Sequence, residues 1–174
     1  MKKLIFALCA VLIAGCNKEP SNEPYWGEAT ALKNGIAWQA KSYAAFEPSK
    51  WGTDYIDIII RHFDINNNLR EGLTFLKVPM KVGVYNVEPV NLDDNYIAVG
   101  TSYNTFQDDG HILGDSFLID TTVLENKIEV LTFNKSEGEI EVNFSAIFVI
   151  SKRQTNESPD TVRFESGYVN TKSR

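Results

Sequence analysis

Metal and carboxylate chemistry are the first readings that the polar residues of this chain invite. It holds two histidines, and two cannot make a three-histidine zinc site. His62 with Asp64, or His111 with Asp108 and Asp109, could join a mixed site, but a strand histidine beside a turn aspartate is already satisfied as a half-exposed pair. No metal is expected. Asp64-Ile65-Asn66-Asn67-Asn68 starts like a calcium loop. Its sixth position is Leu69 where the sharp turn needs Gly, and its twelfth is Phe75 where a bidentate Glu belongs. A hairpin turn is expected there instead. With 23 acidic residues, some carboxylates must meet by chance. A glycosidase needs two at a defined separation with one pKa raised, and no local motif marks such a pair. Phosphate-cradling glycine loops are absent from the sequence. No catalytic residue and no cofactor is assigned.

Aromatic residues are the remaining compositional hint. Trp26, Trp38, Trp51, Tyr43, Tyr55, Tyr96 and Tyr103 could give stacking platforms for a sugar. Trp51 follows Pro48-Ser49-Lys50 and precedes Gly52, which reads as a loop, where exposed aromatics bind ligands. Trp51 and Tyr55 are therefore the candidate ligand contacts. Trp38 and most tyrosines fit equally well as core or strand-surface residues. Gly114-Asp115-Ser116-Phe117 resembles the nucleophile block of GDSL-type hydrolases. That family sets the block after an N-terminal strand of an α/β fold, with a late Asp-x-x-His as base. Here the block lies mid-chain in a β pattern, and neither His62 nor His111 has those neighbours, so it is read as a chance match.

One cysteine has a clearer assignment. Lys2 and Lys3 precede an apolar run of 11 residues, Leu4 to Ala14, and Ile13-Ala14-Gly15-Cys16 closes it with small residues. A charged start, a short apolar core and a small-residue cleavage site make an export signal. The run is too short to span a bilayer, which takes about 20 apolar residues. The segment resembles the bacterial lipobox. The resemblance implies cleavage before Cys16 and its thioether diacylation, and two or more acyl chains hold a protein on a membrane where one does not. The other cysteine, Cys9, lies inside the signal, so the mature chain is expected to hold no disulfide and no free thiol.

Removing residues 1–15 from the 174 leaves 159, and the formal charge moves from −6 to −8 as Lys2 and Lys3 go. The acidic balance argues against nucleic acid and anionic lipid headgroups as partners. Asn17-Lys18-Glu19-Pro20-Ser21-Asn22-Glu23-Pro24 cannot bury apolar surface and reads as a flexible tether. The expected organisation is a signal over 1–15, the lipidated Cys and tether over 16–27, one domain over 28–170 and a tail over 171–174.

From residue 28 the pattern has period two. Ile140, Val142, Phe144, Ala146, Phe148 and Ile150 share one face of a strand and Glu139, Glu141, Asn143 and Ser145 the other, the mark of a half-buried strand. Residues 161–169 repeat this with Val162, Phe164 and Tyr168 inward. Residues 55–63 do so with Ile56, Ile58 and Ile60 against Asp57 and Arg61, while Ile59 and Phe63 suggest partial cover on the second face. Further strands are expected over 36–46, 71–78, 82–88, 96–106, 112–120 and 127–133. Asn34-Gly35, Asn66-Asn67-Asn68, Asp93-Asp94-Asn95, Asp108-Asp109-Gly110 and Ser136-Glu137-Gly138 are turn sequences. Residues 154–159 read as a loop before the last strand. The fold expected is an all-β antiparallel sandwich or barrel of about 8–10 strands.

Asn34-Gly35-Ile36-Ala37-Trp38-Gln39-Ala40, Gly83-Val84-Tyr85, Gly138-Glu139-Ile140-Glu141-Val142-Asn143-Phe144 and Asp160-Thr161-Val162-Arg163-Phe164-Glu165-Ser166-Gly167-Tyr168-Val169, in this order behind a lipobox, resemble a group of uncharacterised Bacteroidota lipoproteins with one β domain. The resemblance covers nearly the whole mature chain and implies location and fold class, with no activity. Lys18-Glu19 resembles the export signal of surface lipoproteins in that group, and Asn17 is not the Asp that retains enteric lipoproteins in the inner membrane. An outer-membrane anchor is expected, with the outward face preferred over the periplasmic one. Asp120-Thr121-Thr122 and Asp160-Thr161-Val162 resemble O-glycosylation acceptors of the same group, while Thr at a strand edge explains them as well.

The function expected is a membrane-anchored binding domain for a glycan or an envelope protein. The alternatives are a secreted hydrolase with carboxylate catalysis and a barrel enclosing a small apolar ligand. Radiolabelled palmitate is expected to enter the wild-type chain and not Cys16→Ser; labelling of both contradicts the anchor.

Overall fold

The computed structural model describes residues 25–93, 98–108 and 110–173. The export segment, Cys16, the tether to residue 24 and Tyr96 lie outside the described residues. Ten strands and one short helical turn follow in order: β1 (Gly27–Lys33), β2 (Ile36–Ala45), α1 (Pro48–Trp51), β3 (Tyr55–Phe63), β4 (Leu69–Pro79), β5 (Gly83–Pro89), β6 (Val99–Gln107), β7 (Ile112–Ile119), β8 (Lys127–Asn134), β9 (Glu139–Lys152) and β10 (Thr161–Lys172). Among the described residues no helix is long and apolar enough to cross a membrane.

The strands close into a ring, which decides for the barrel. β1, β2, β3, β4 and β6 pair in succession, and β10 joins β1 to β9. Between β6 and β9 the wall forks. β7 bridges them at one end, pairing with Ser102–Gln107 of β6 and Phe148–Lys152 of β9, while β5 and β8 bridge them at the other. All pairings among these strands are antiparallel except β5 with β6. Closure removes the unpaired edges that an open sheet would expose.

Local chemistry explains the corners. Asn34 and Gly35 alone link β1 to β2, with φ of 51° and 78°, the two positive values that a two-residue hairpin needs. In the expected turn at 64–68, the Asp64 carboxylate accepts the Asn66 and Asn68 amides, each at 2.9 Å, and Arg70 Nε at 2.8 Å. The Asn68 amide, then Arg70 and Asn66, hold the Asp64 carboxyl low, at about 2.

The interior is filled. Tyr103, Phe75, Phe117, Phe148 and Phe164 are fully buried, and the Tyr103 ring lies 5.2, 5.7 and 5.3 Å from those of Phe117, Phe148 and Phe164. Ala29, Ala31, Ala40 and Ala44 on β1 and β2 face this aromatic mass, so large and small residues interdigitate across the barrel.

Three sequence expectations change. First, Tyr168 points outward. β10 carries a bulge around Ser166, whose φ is +50°, and its register shifts against both β9 and β1 there. One extra residue reverses the faces of everything after it: Val162 and Phe164 are buried, then Gly167 and Val169 are buried and Tyr168 is not. Gly167 fits because a Cβ there would strike the Phe144 ring. Second, the domain is longer than 28–170. Tyr25 packs edge-on against Tyr43 and Phe63, Gly27 opens β1, and β10 runs to Lys172, with Ser173 bridging to Ala44. Third, Asp57 is buried, because α1 covers the outer face of β3.

Candidate functional site

Trp51 is not an exposed platform. It ends α1 and is 8% exposed. Its Nε1 donates to Asp57 Oδ2 at 3.0 Å, and Asp57 Oδ1 accepts the Lys77 amide at 2.9 Å. Lys77 sits in a bulge of β4 with φ +56°. Its Nζ lies 4.3 Å from the Trp51 ring centre, and that of Lys50 at 4.4 Å. One buried carboxylate thus ties the helical turn to the β4 bulge, and cation–π contacts hold the indole. Tyr55 is half-buried at the start of β3, paired with Pro79. The structure gives Trp51 a framework role.

The open aromatic pair lies elsewhere. Trp26, just before β1, is 46% exposed, and Tyr168, turned out by the Ser166 bulge, is 36% exposed. Both line one groove of about 390 Å³ on the outer wall, with Glu28, Thr30 and Asn170. Register builds it: Glu28 stands across from Asn170 and Thr30 from Tyr168. Neighbouring strands fix the polar groups. Gln39 Nε2 donates to Glu28 Oε2 at 3.2 Å, Asn170 Nδ2 donates to Glu141 Oε1 at 3.5 Å, and Lys172 Nζ lies 5.3 Å from the Trp26 ring. Two aromatic rings beside planar amide and carboxylate groups are the chemistry that recognises sugars, stacking on their C–H faces while hydrogen-bonding their hydroxyls. Trp26 was legible as an aromatic in the sequence. Tyr168 was missed because strict alternation sends it inward; the signal that could have found it is Ser166-Gly167 breaking the apolar phase.

A second cleft, of about 260 Å³, opens at the opposite end of β1. Lys33 Nζ meets Glu71 Oε1 at 2.6 Å, and Trp38 Nε1 donates to Glu71 Oε2 at 2.9 Å. Tyr103 lines this cleft, as does the β9–β10 loop through Thr155, Glu157, Ser158 and Pro159. That loop is pinned by Asp115, whose Oδ1 accepts the Gln154 and Thr155 amides at 2.5 and 2.8 Å while Oδ2 accepts the Thr155 hydroxyl at 2.6 Å. Burial would raise the Asp115 carboxyl, but hydrogen bonds from Thr155, Ser158 and Gln154 outweigh it and hold it well below the usual carboxylate range. The Gly-Asp-Ser-Phe block is thus a loop clamp. Gly114 lets Thr105 approach, and Thr105 Oγ1 accepts the Asp115 amide at 2.8 Å.

The remaining candidates have local partners. His62 Nδ1 lies 2.8 Å from the Gln39 carbonyl, and its ring 6.1 Å from that of Trp38. Among the described residues no group of three or more His, Cys, Asp or Glu could hold a metal ion. Thr121 and Thr161 are both exposed. Thr122 donates to Asp120 Oδ1 through its hydroxyl at 2.6 Å and its amide at 3.0 Å, bonds that lower the Asp120 carboxyl.

Trp51→Phe keeps a ring in place and leaves a buried carboxylate oxygen short of its donor. It is expected to lower the free energy of unfolding by about 1.5–3 kcal/mol, the worth of a hydrogen bond to a charged group, read from urea denaturation. Unchanged stability contradicts the framework role. No family model, no curated protein and no solved structure matches this chain.

Proposed function

We propose that this chain is an outer-membrane lipoprotein, anchored through Cys16, whose barrel binds a glycan along the outer groove between Trp26 and Tyr168. The observation that carries the reading is the exposure of these two aromatic rings in one groove beside Glu28, Thr30 and Asn170. The resemblance to Bacteroidota lipoproteins supports the anchor and its outward face. An envelope protein is the other partner class to test, and the acidic balance disfavours nucleic acid.

The tether constrains where the glycan is met. Ten residue steps separate Cys16 from Trp26, and a fully extended chain spans at most about 3.3–3.6 Å per residue. The groove therefore works within roughly 35 Å of the lipid surface, and the occupant is a saccharide chain displayed there.

The alternatives have less support. A hydrolase with carboxylate catalysis needs a general acid with its pKa raised, a role that Asp64, Asp115 and Asp120, whose carboxyls are held low, do not fit. A barrel enclosing an apolar ligand needs an interior cavity, and aromatic rings fill this interior.

A pull-down of envelope glycans and envelope proteins with the chain lacking residues 1–23 tests the reading. The wild type is expected to retain a glycan, and Trp26→Ala with Tyr168→Ala to weaken retention at least tenfold, a loss of about 1.4 kcal/mol. Equal retention by the double variant contradicts it, as does capture of protein alone or turnover on a hydrolase panel without glycan retention.

A further inference from the structure

The polar groups of the outer groove belong to a wider pattern. Three times across the barrel wall, an amide side chain donates to a glutamate on the next strand. Gln39 of β2 donates to Glu28 of β1, Asn170 of β10 to Glu141 of β9, and Asn143 of β9 to Glu129 of β8, the last at 3.1 Å. Register sets these groups in two adjacent rows. Glu28, Asn170 and Glu141 stand across from one another in the first, and Thr30, Tyr168, Asn143 and Glu129 in the second. Ala29, Val169, Val142 and Ile128, their neighbours along the strands, are buried, so both rows stand on the outside of the wall. The second row therefore leads from the groove, past Tyr168, out over β9 to β8.

We propose, on the footing that the groove binds a glycan, that the site continues along this row onto Asn143 and Glu129 and takes a chain of about three or more sugars that carries no acidic groups. The length follows from the strands. Neighbouring strands lie about 4.8 Å apart, so the row from β1 to β8 is roughly 14 Å long, and a sugar ring in an extended chain advances by about one such interval. The hydrogen bonding follows from the pairs. A side-chain amide has two N–H donors, and a carboxylate has acceptor sites on both oxygens. Each pair uses one N–H and one oxygen. A ligand hydroxyl can accept from the amide and donate to the free oxygen while the pair stays intact. The charge preference follows from the same pairs. An amide orients a carboxylate without neutralising it, so Glu28, Glu141 and Glu129 present negative charge along the band. Lys41 stands across from Glu28, but its ammonium lies over the Tyr25 and Phe63 rings, as that of Lys172 does over Trp26. A uronate or phosphate chain laid here meets like charge at successive steps, a repulsive element of the kind that sets specificity.

The full chain in detergent is titrated by calorimetry with dimers and pentamers of glucose, mannose and N-acetylglucosamine, and with the galacturonate pentamer as the acidic probe. At least one neutral series is expected to bind, its pentamer at least tenfold more tightly than its dimer and more tightly than the galacturonate pentamer. Asn143→Ala with Glu129→Ala is expected to remove the advantage of the pentamer and to leave binding of the dimer unchanged, because these side chains lie beyond the groove. Trp26→Ala with Tyr168→Ala is expected to weaken both lengths. If no neutral sugar of either length binds, the glycan reading falls and this extension with it. If the dimer binds but the pentamer binds no more tightly, the extension alone is overturned. The same holds if the Asn143→Ala, Glu129→Ala chain binds the pentamer as wild type does, or if the galacturonate pentamer binds most tightly.

Discussion

The barrel depends on β10. This strand hydrogen-bonds to β9 on one side and β1 on the other, so it joins the last part of the chain to the first and leaves neither with an open edge. Closing a sheet demands curvature, and a bulge supplies it by letting two residues oppose one. The bulge around Ser166 does this against both neighbours at once. Its second consequence is chemical. Everything beyond it changes face, so Val169 and Thr171 go into the core and Tyr168 comes out beside Trp26. The same backbone adjustment that shuts the ring builds the aromatic groove on its outside.

Buried carboxylates do the remaining fastening, each at a place where backbone leaves the regular ladder. Asp57 ties α1 and the Lys77 bulge to β3, and Asp115 holds the β9–β10 loop over the barrel mouth. Each is buried yet given donors for its charge, which is the condition for a carboxylate to survive inside a protein. Asp64 does the same for an exposed turn. Carboxylates that suggested chemistry from the sequence thus act largely as caps. The cleft at the mouth differs, since Glu71 there faces Lys33, Trp38 and the Tyr103 phenol.

Much of the wall was legible, because period-two patterning and turn chemistry are local. Asn34-Gly35 predicted its hairpin, residues 55–63 their strand, and β9 its inward face from Ile140 to Phe148. What escaped depends on contacts distant in sequence. Nothing local tells that α1 folds back to bury Asp57 and Trp51, so Trp51 read as an exposed loop aromatic. Alternation carried past Glu165 put Tyr168 inside, because a bulge is set by the two strands it pairs with. The loop clamp at Asp115 joins residues about forty apart in the chain, and the fork of the wall at β6 and β9 is a property of closure, which no single strand encodes.

The central claim is that Ser166 reverses the face of β10 and brings Tyr168 to the surface. Residues 25–174 contain no cysteine, so single cysteines can be read one at a time with a maleimide in the folded protein. Cysteines replacing Tyr168 and Asn170 are predicted to label quickly, and those replacing Val162, Phe164 and Val169 to label only on unfolding. Protection at 168 with rapid labelling at 169 would mean unbroken alternation through β10, and would contradict the account.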